Sequence, residues 1–152
     1  MGSRERVAEF LLKSGAHHDI REFAQSTKNS ALAAEALGCT VAEIAKSVVF
    51  VGMKTAVVIV SGDRKVDTSK LGRIMAEEMR TAKPDEVRER TGFPIGGVPP
   101  FPHAAGVEVL PDMSLTRFRE VWAAAGAPNA VFKIGAADLI RLVGRGPYDL
   151  AE

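Results

Sequence analysis

Two runs of apolar, mostly β-branched residues stand out in the first half of the chain, at residues 44–51 and 55–61. Runs of this length and composition are typical of buried β-strands. Gly52, Met53 and Lys54 separate them, which is the spacing of a hairpin turn. The pattern therefore predicts two strands that are neighbours in a sheet.

Elsewhere, apolar residues at helical spacing are flanked by capping residues, and this pattern predicts helices. The predicted helices are residues 4–14, a segment that begins at Asn29 or Ser30 and ends at Leu37, a segment capped by Asp67, a segment from Pro84 to Gly92, and residues 135–142. A capping box at residues 40–43 begins only a turn. Short strands are predicted at residues 20–23, 107–110, 118–122 and 130–134, with an edge strand at 148–150. This order predicts an α/β fold in which helices flank one mixed sheet, in a single domain over residues 1–152.

The composition is that of a globular intracellular protein. Hydrophobic residues make up 46% of the 152 residues and charged residues 26%, which is the profile of a folded domain. Cys39 is the only cysteine, so no intramolecular disulfide can form, and this suits a reducing compartment. The apolar runs fall far short of the ~18 residues that cross a bilayer, and no signal segment opens the sequence. We therefore expect a cytoplasmic protein that does not enter the membrane.

The charge balance restricts the kind of nucleic acid that the protein can bind. The sequence has 20 basic and 19 acidic residues and a net charge of +1, whereas domains that bind duplex DNA are usually strongly basic. Aromatic residues are only 6% of the chain, which argues against a sheet that stacks bases. We therefore expect no DNA binding, and any contact with nucleic acid should be local, as with a single-stranded end held in a pocket.

Familiar catalytic motifs are missing from the sequence. There is no phosphate-binding loop, no dinucleotide fingerprint and no nucleophile elbow. The soft metal ligands are limited to His17, His18, His103 and Cys39, and their spacing matches no common metal site. We expect no bound metal.

Lys46 is the residue most suggestive of chemistry, because it interrupts an apolar strand. Side chains alternate along a strand, so Lys46 shares a face with Ile44, Val48 and Phe50. An ammonium on that face must either reach water from the rim of the strand or be held against an anion. Both interpretations are open from the pattern alone.

A loop rich in glycine and proline is the second candidate, and it contains Gly96, Gly97, Val98, Pro99 and Pro100. Glycines let a ligand approach the backbone and prolines stiffen the path, although an ordinary tight connection has the same composition. His103 follows and could act as a base or as a structural hydrogen-bonding group. Asp138 lies in the first turn of the last predicted helix, where it could act in the site or simply interact with the helix dipole.

These segments together resemble the YbaK/ProX family of free-standing aminoacyl-tRNA deacylases, relatives of the editing domain inserted in bacterial prolyl-tRNA synthetases. The likeness runs from about Ser26 to the end of the chain. It is carried, in order, by ALGC at 36–39, IAKSVVF at 44–50, VSGD at 60–63, VRERTGF at 87–93, IGGVPP at 95–100, VWAAAG at 121–126 and ADL at 137–139. One departure is Pro102, which precedes His103 where many relatives have glycine.

The resemblance implies a YbaK/ProX-like, partly barrel-like mixed sheet. It also implies hydrolysis of the ester between a wrong, small amino acid and the 3′ end of tRNA-Pro or a related tRNA. Lys46 and the glycine–proline loop would form the site, Asp138 would contribute to catalysis, and no cofactor would be needed. The expected partners are the aminoacyl-tRNA 3′ end and prolyl-tRNA synthetase. Two alternatives are a non-catalytic module that binds tRNA ends or a synthetase, and a domain that binds or hydrolyses an amino-acid-like small molecule.

Overall fold

The computed structural model describes residues 2–25 and 29–152, and the elements below are those of these residues. The helices are α1 (Ser3–Ser14), α2 (Ser30–Leu37), α3 (Thr68–Met75), α4 (Pro84–Thr91) and α5 (Ala136–Val143). The strands are β1 (His18–Glu22), β2 (Ile44–Val51), β3 (Thr55–Ser61), β4 (Arg80–Thr81), β5 (Val107–Pro111), β6 (Glu120–Ala124) and β7 (Ala130–Gly135). Short 3₁₀ turns at Val41–Glu43 and Met113–Arg117 lead into β2 and towards β6.

All of these strands belong to one mixed sheet with the order β1-β7-β6-β2-β3-β5, and β4 pairs with the end of β2. The β2–β3, β6–β7 and β1–β7 pairs are antiparallel, whereas β2–β6 and β3–β5 are parallel. The sheet does not close into a barrel, because β1 and β5 stand at opposite ends of this order. The predicted fold class, a mixed sheet flanked by helices, is confirmed, and the sheet is open.

Side-chain alternation assigns the two faces of the sheet to different helices. One face packs against α1, α4 and α5 in a core built on Val57, Ile59 and Phe132. The opposite face packs against α3 around Val58 and Val60, and against α2 around a separate small cluster. The central strand β3 is buried along its whole length, which explains its continuous apolar run.

Most of the predicted elements occur within two residues of their predicted positions. The helices, the hairpin and the one-turn capping box at Thr40 are confirmed. The strand predicted at 118–122 begins later, at Glu120, because residues 113–117 form a 3₁₀ turn, and β4 was not predicted. The edge strand predicted at 148–150 is wrong, since this segment makes only isolated bridges, at Tyr148 and Ala151.

No helix in the described part of the chain is long and apolar enough to cross a membrane.

The segment near the C-terminus is held by a buried carboxylate rather than by a strand ladder. Asp112 is 2% exposed, and its Oδ1 accepts hydrogen bonds from the backbone N–H groups of Leu150 (2.7 Å) and Ala151 (3.1 Å). Its Oδ2 accepts from the Ser114 N–H at 2.8 Å. A single side chain thus satisfies two backbone donors of the C-terminal segment and caps the 3₁₀ turn at Met113–Arg117.

We expect Asp112→Ala to lower the free energy of unfolding by about 3 kcal/mol, because it leaves buried N–H groups without an acceptor. Asp112→Asn, which keeps one acceptor oxygen, should lose less. Urea denaturation of both variants measures the difference. Asp67→Ala is the control for loss of an ordinary helix cap, which costs roughly 1 kcal/mol. An Asp112→Ala loss no larger than that of the cap variant would contradict this role.

Candidate active site

The sheet has a gap beside β2. Its parallel pairing with β6 lasts for only two residues, Ile44 with Trp122 and Ala45 with Ala123, and β4 meets β2 only at Phe50 and Val51. Residues 46–48 therefore lie between these pairings, where β2 has a strand neighbour on one side only. The gap opens into a cavity of about 360 Å³, which we call the slot. It is lined by Asn29, Ser30, Ala33, Ile44, Ala45, Lys46, Ser47, Val48, Ile95, Gly96, Val98, Trp122, Ala123, Ala124 and Val131.

Lys46 lies on the wall of the slot, on the face of β2 that it shares with Ile44, Val48 and Phe50. It is partly buried, and it makes no hydrogen bond or ion pair with any residue that the structure describes. Burial lowers the pKa of the Lys46 ammonium, and the carboxylate of Asp63 partly offsets this effect. The sequence left open whether this amine reaches water or meets an anion, and the structure puts it in the wall of a cavity without an ion pair to any described carboxylate.

Asp63 is itself held in place by Arg117. The two guanidinium nitrogens Nη1 and Nη2 of Arg117 donate to the carboxylate at 3.1 and 2.7 Å. These hydrogen bonds lower the pKa of Asp63 below its usual range. Asp63 lies at the end of β3, close to the start of β2, because the Gly62 N–H donates to the Ile44 carbonyl at 2.7 Å. The site therefore has a fixed negative charge near Lys46 that is already neutralised by another cation.

Ser47 supplies a second polar group to the slot. It points to the opposite face of β2 from Lys46, and its Oγ atom is buried without a hydrogen-bond partner among the described residues. A buried hydroxyl without a partner costs free energy unless a ligand or a water satisfies it. The slot therefore has the Lys46 ammonium in a mainly apolar lining, and beside it Ser47 carries a buried hydroxyl without a partner among the described residues.

The glycine–proline loop borders the slot with only part of its length. Gly96 and Val98 line the slot, and Gly96 has a φ of 82°, a left-handed conformation that favours glycine. Pro99 and Pro100 are buried and lie outside its lining. A Cβ atom at Gly97 would lie 2.8 Å from the Ala127 backbone. Gly97 thus lets two backbone segments lie close together. The sequence had instead suggested that a ligand approaches the backbone there.

His103 lies outside the slot, in the packing beneath the loop. Its Nε2–H donates to the Pro99 carbonyl at 2.7 Å, and its ring meets Phe93 edge-on with 5.4 Å between centroids. Burial lowers the pKa of His103, and the nearby Arg6 guanidinium lowers it further. These contacts hold His103 against the loop, and its Nδ1 atom is buried without a hydrogen-bond partner among the described residues.

Asp138 is also absent from the residues that line the slot. It lies in the first turn of α5, and its carboxylate receives a hydrogen bond from Arg141 at 3.0 Å. Among the described residues, no group of three His, Cys, Asp or Glu side chains could hold a metal ion.

Several residues of the slot were not singled out from the sequence. Trp122, Ala33 and Val131 come from three separate elements, so no local pattern joins them. Ser47 did leave a signal, because it is a second polar residue within the apolar run that contains Lys46.

The fold and the slot define a class, an α/β protein with an open mixed sheet and a small, mainly apolar site that contains one lysine. A family model described as an aminoacyl-tRNA editing domain matches residues 24–142. The chain belongs to this family.

Relatives of known sequence or structure agree with this assignment. The chain is 37% identical over 124 residues to the uncharacterized protein YwhH of Bacillus subtilis, covering 80% of this chain and 79% of that protein. It is 39% identical over 70 residues to a proline–tRNA ligase of Lactobacillus gasseri, covering 45% of this chain and 12% of the ligase. A crystal structure described as a candidate trans-editing enzyme for prolyl-tRNA synthetase superposes with a TM-score of 0.89 at 40% identity, covering 100% of this chain and 98% of that one.

We expect Gly97→Ala to destabilise the protein by roughly 1–3 kcal/mol, because the added methyl group forces the loop away from the Ala127 backbone. Gly106→Ala is the matched control, since a Cβ atom there meets nothing within 4 Å. Thermal unfolding compares the two variants. Equal melting temperatures for both variants would show that the loop does not depend on this close approach.

The free energy of unfolding should depend on pH because His103 is buried. Its pKa in the folded protein lies below the ordinary value of 6.5, so the unfolded chain takes up a proton first as the pH falls. Stability should therefore decrease from pH 7.5 to 5.5, and His103→Gln should lose this component. Denaturation at both pH values measures it, with exposed His17→Gln as the control. A pH dependence that His103→Gln leaves unchanged would be inconsistent with a buried neutral imidazole.

Proposed function

We propose that the protein is a trans-editing deacylase that hydrolyses the ester between a small amino acid and the 3′ end of a mischarged tRNA. The observation that carries the proposal is Lys46, an ammonium without a partner among the described residues in the wall of a small slot, in a chain of the aminoacyl-tRNA editing family. The aminoacyl-tRNA is the substrate, and the cytoplasm, where tRNAs are charged, is the place of action.

The size and lining of the slot support a small aminoacyl group. A cavity of about 360 Å³ is near the lower end of the range for small-molecule sites. Ala33, Ala45, Ala123 and Ala124 leave room for a short side chain beside the larger Ile44 and Trp122 walls. A synthetase separates amino acids that differ by one methylene by only ~1–3 kcal/mol, so hydrolysis of small misacylated products is needed afterwards.

The chemistry needs few protein groups, because an aminoacyl ester is already activated. A water oxygen bonds to the ester carbonyl carbon, and the carbonyl oxygen becomes an oxyanion in the tetrahedral intermediate. The bond to the ribose oxygen then breaks, the ribose oxygen takes one proton of the water, and the amino acid leaves as a carboxylate after the second proton passes to solvent. Lys46 can stabilise the oxyanion or hold the phosphate of the terminal nucleotide, and a ribose hydroxyl of the substrate or a bound water can move the proton.

Ser47 can complete the polar contacts on the opposite wall. Its buried Oγ has no protein partner among the described residues, so a substrate group that donates or accepts a hydrogen bond would satisfy it. Asp138 is retained as a proposed contributor that would have to act from outside the lining of the slot.

The relatives support prolyl-tRNA as the context. This chain resembles part of a proline–tRNA ligase, and a relative of known structure is described as a candidate trans-editing enzyme for prolyl-tRNA synthetase. We therefore propose tRNA-Pro or a related tRNA as the carrier, with prolyl-tRNA synthetase as a partner in editing.

A panel of mischarged tRNAs tests the proposal directly. We expect release of one or a few small amino acids from tRNA-Pro or a related tRNA, and much slower release from correctly charged Pro-tRNA. Acid-gel or thin-layer separation of labelled products measures the release. A protein that binds these tRNAs but releases no amino acid would be a non-catalytic module, and hydrolysis of free amino-acid esters alone would indicate a small-molecule enzyme.

Lys46→Ala should slow deacylation by roughly 10²–10³, the scale of losing one oxyanion donor. A loss in kcat would assign Lys46 to the transition state, and a rise in KM would assign it to a phosphate that is held throughout. Lys46→Arg should rescue activity poorly, because a planar guanidinium does not replace a compact ammonium in a fitted slot.

The matched control is Lys65→Ala, since Lys65 is an exposed lysine outside the slot. Both alanine variants should unfold near the wild-type temperature, because neither substitution opens a large apolar cavity. Folded Lys46→Ala protein that deacylates at the wild-type rate would remove Lys46 from the active site.

A further inference from the structure

Trp122 is the only tryptophan in the chain, and two cations lie over its ring. The guanidinium carbon of Arg21 lies 5.0 Å from the ring centroid, and Nζ of Lys133 lies 5.6 Å from it. The tryptophan is 7% exposed and lines the slot, whereas Arg21 is exposed and Lys133 is partly exposed. The two charges therefore lie next to a residue of the slot, although neither side chain is part of its lining.

Strand register keeps both cations beside the slot. Lys133 of β7 pairs with Trp122 of β6, and Arg21 of β1 pairs with Val131 of β7, another residue of the slot. Because directly paired residues point to the same face, both cations lie on the face of the sheet that also carries Lys46. Cationic side chains thus extend from the slot across β7 to β1.

Few of the described acidic side chains pair with Arg21 and Lys133. Arg21 has one ion pair, with Asp19 at 3.4 Å, in which both side chains are about half exposed (50% and 49%). Exposed pairs of this kind are weak and leave the guanidinium available. Lys133 has no ion pair with any residue that the structure describes, although Asp19 pairs with it in the strand register. Glu22, the next acidic residue of β1, pairs with Arg4.

We propose that Arg21 and Lys133 bind backbone phosphates of the RNA strand whose 3′ end enters the slot. The identity of this ligand rests on the proposed function, and the assignment of the two residues rests on their positions. Two cations at the rim of the slot suit a single-stranded end, because such an end needs few phosphate contacts. They would reconcile RNA binding with a net charge of only +1.

The test uses the single tryptophan as a local reporter. The ligand is an RNA hairpin that carries no amino acid and has a four-nucleotide single-stranded 3′ extension. A blunt hairpin of the same stem is the comparison. We expect the extended hairpin to change Trp122 emission and the blunt hairpin to leave it nearly unchanged. The Arg21→Gln/Lys133→Gln double variant should lose the change, each protein being compared with its own free state.

Salt dependence measures the phosphate contacts. Each phosphate neutralised on a single strand contributes about 0.7 to the slope of log K against log salt. The double variant should therefore have a slope shallower by about 1.4 than the wild type. Deacylation by the double variant should show a raised KM and an unchanged kcat.

Two controls separate phosphate binding from other effects. Lys13→Gln/Lys65→Gln removes two exposed lysines elsewhere, at 75% and 84% side-chain exposure, and should keep the wild-type slope. Arg21→Lys/Lys133→Arg keeps both charges and should retain binding. An unchanged slope in the double glutamine variant, an equal loss in the Lys13/Lys65 control, or loss of binding in the charge-conserving variant would each overturn the proposal.

A wild-type protein that hydrolyses no mischarged tRNA would overturn the proposed function instead. The two failures are distinguishable because these binding measurements use RNA that carries no amino acid.

Discussion

The divergence of β2 from β6 is the constraint on which the site depends. Two residue pairs join the start of β2 to the middle of β6, and the pairing ends beyond Ala45. A regular ladder would have filled this space with main chain and with cross-strand side-chain pairs. The slot exists because the hydrogen-bonded sheet is interrupted there, while the antiparallel β2–β3 pair continues along the whole of β2 and keeps it rigid.

This arrangement places unsatisfied polar groups where a ligand can use them. Lys46 and Ser47 are consecutive, so alternation along the strand sends one side chain to each face of the sheet beside the gap. Neither has a partner among the described residues, and each is disfavoured by its burial. A folded protein keeps such costs where binding can offset them, and this makes Lys46 and Ser47 candidates for ligand contacts.

The glycine–proline loop and the sheet contribute to the slot in different ways. The glycine–proline segment contributes Gly96 and Val98 to the slot, while Gly97, Pro99 and His103 hold the loop against the rest of the protein. On the other side of the slot, Trp122 is both a wall and a platform for Arg21 and Lys133. Residues that line the slot are thus adjacent to residues that hold the loop in place. A substitution in one group is expected to affect the other.

The sequence by itself determined the local elements and pointed to one residue of the slot, Lys46. Capping residues and apolar spacing are local properties, so the helices, the β2–β3 hairpin and the position of Lys46 on an apolar face followed from residues close together in the chain. The segment at 148–150 was misjudged because the N–H groups of Leu150 and Ala151 donate to the side chain of Asp112, almost forty residues away, and not to a strand. Strand order, the early end of the β2–β6 pairing, the approach of Gly97 to Ala127 and the row of cations over Trp122 were decided only by the tertiary structure. Each of these depends on contacts between segments that lie far apart in the chain, and no local pattern encodes such contacts.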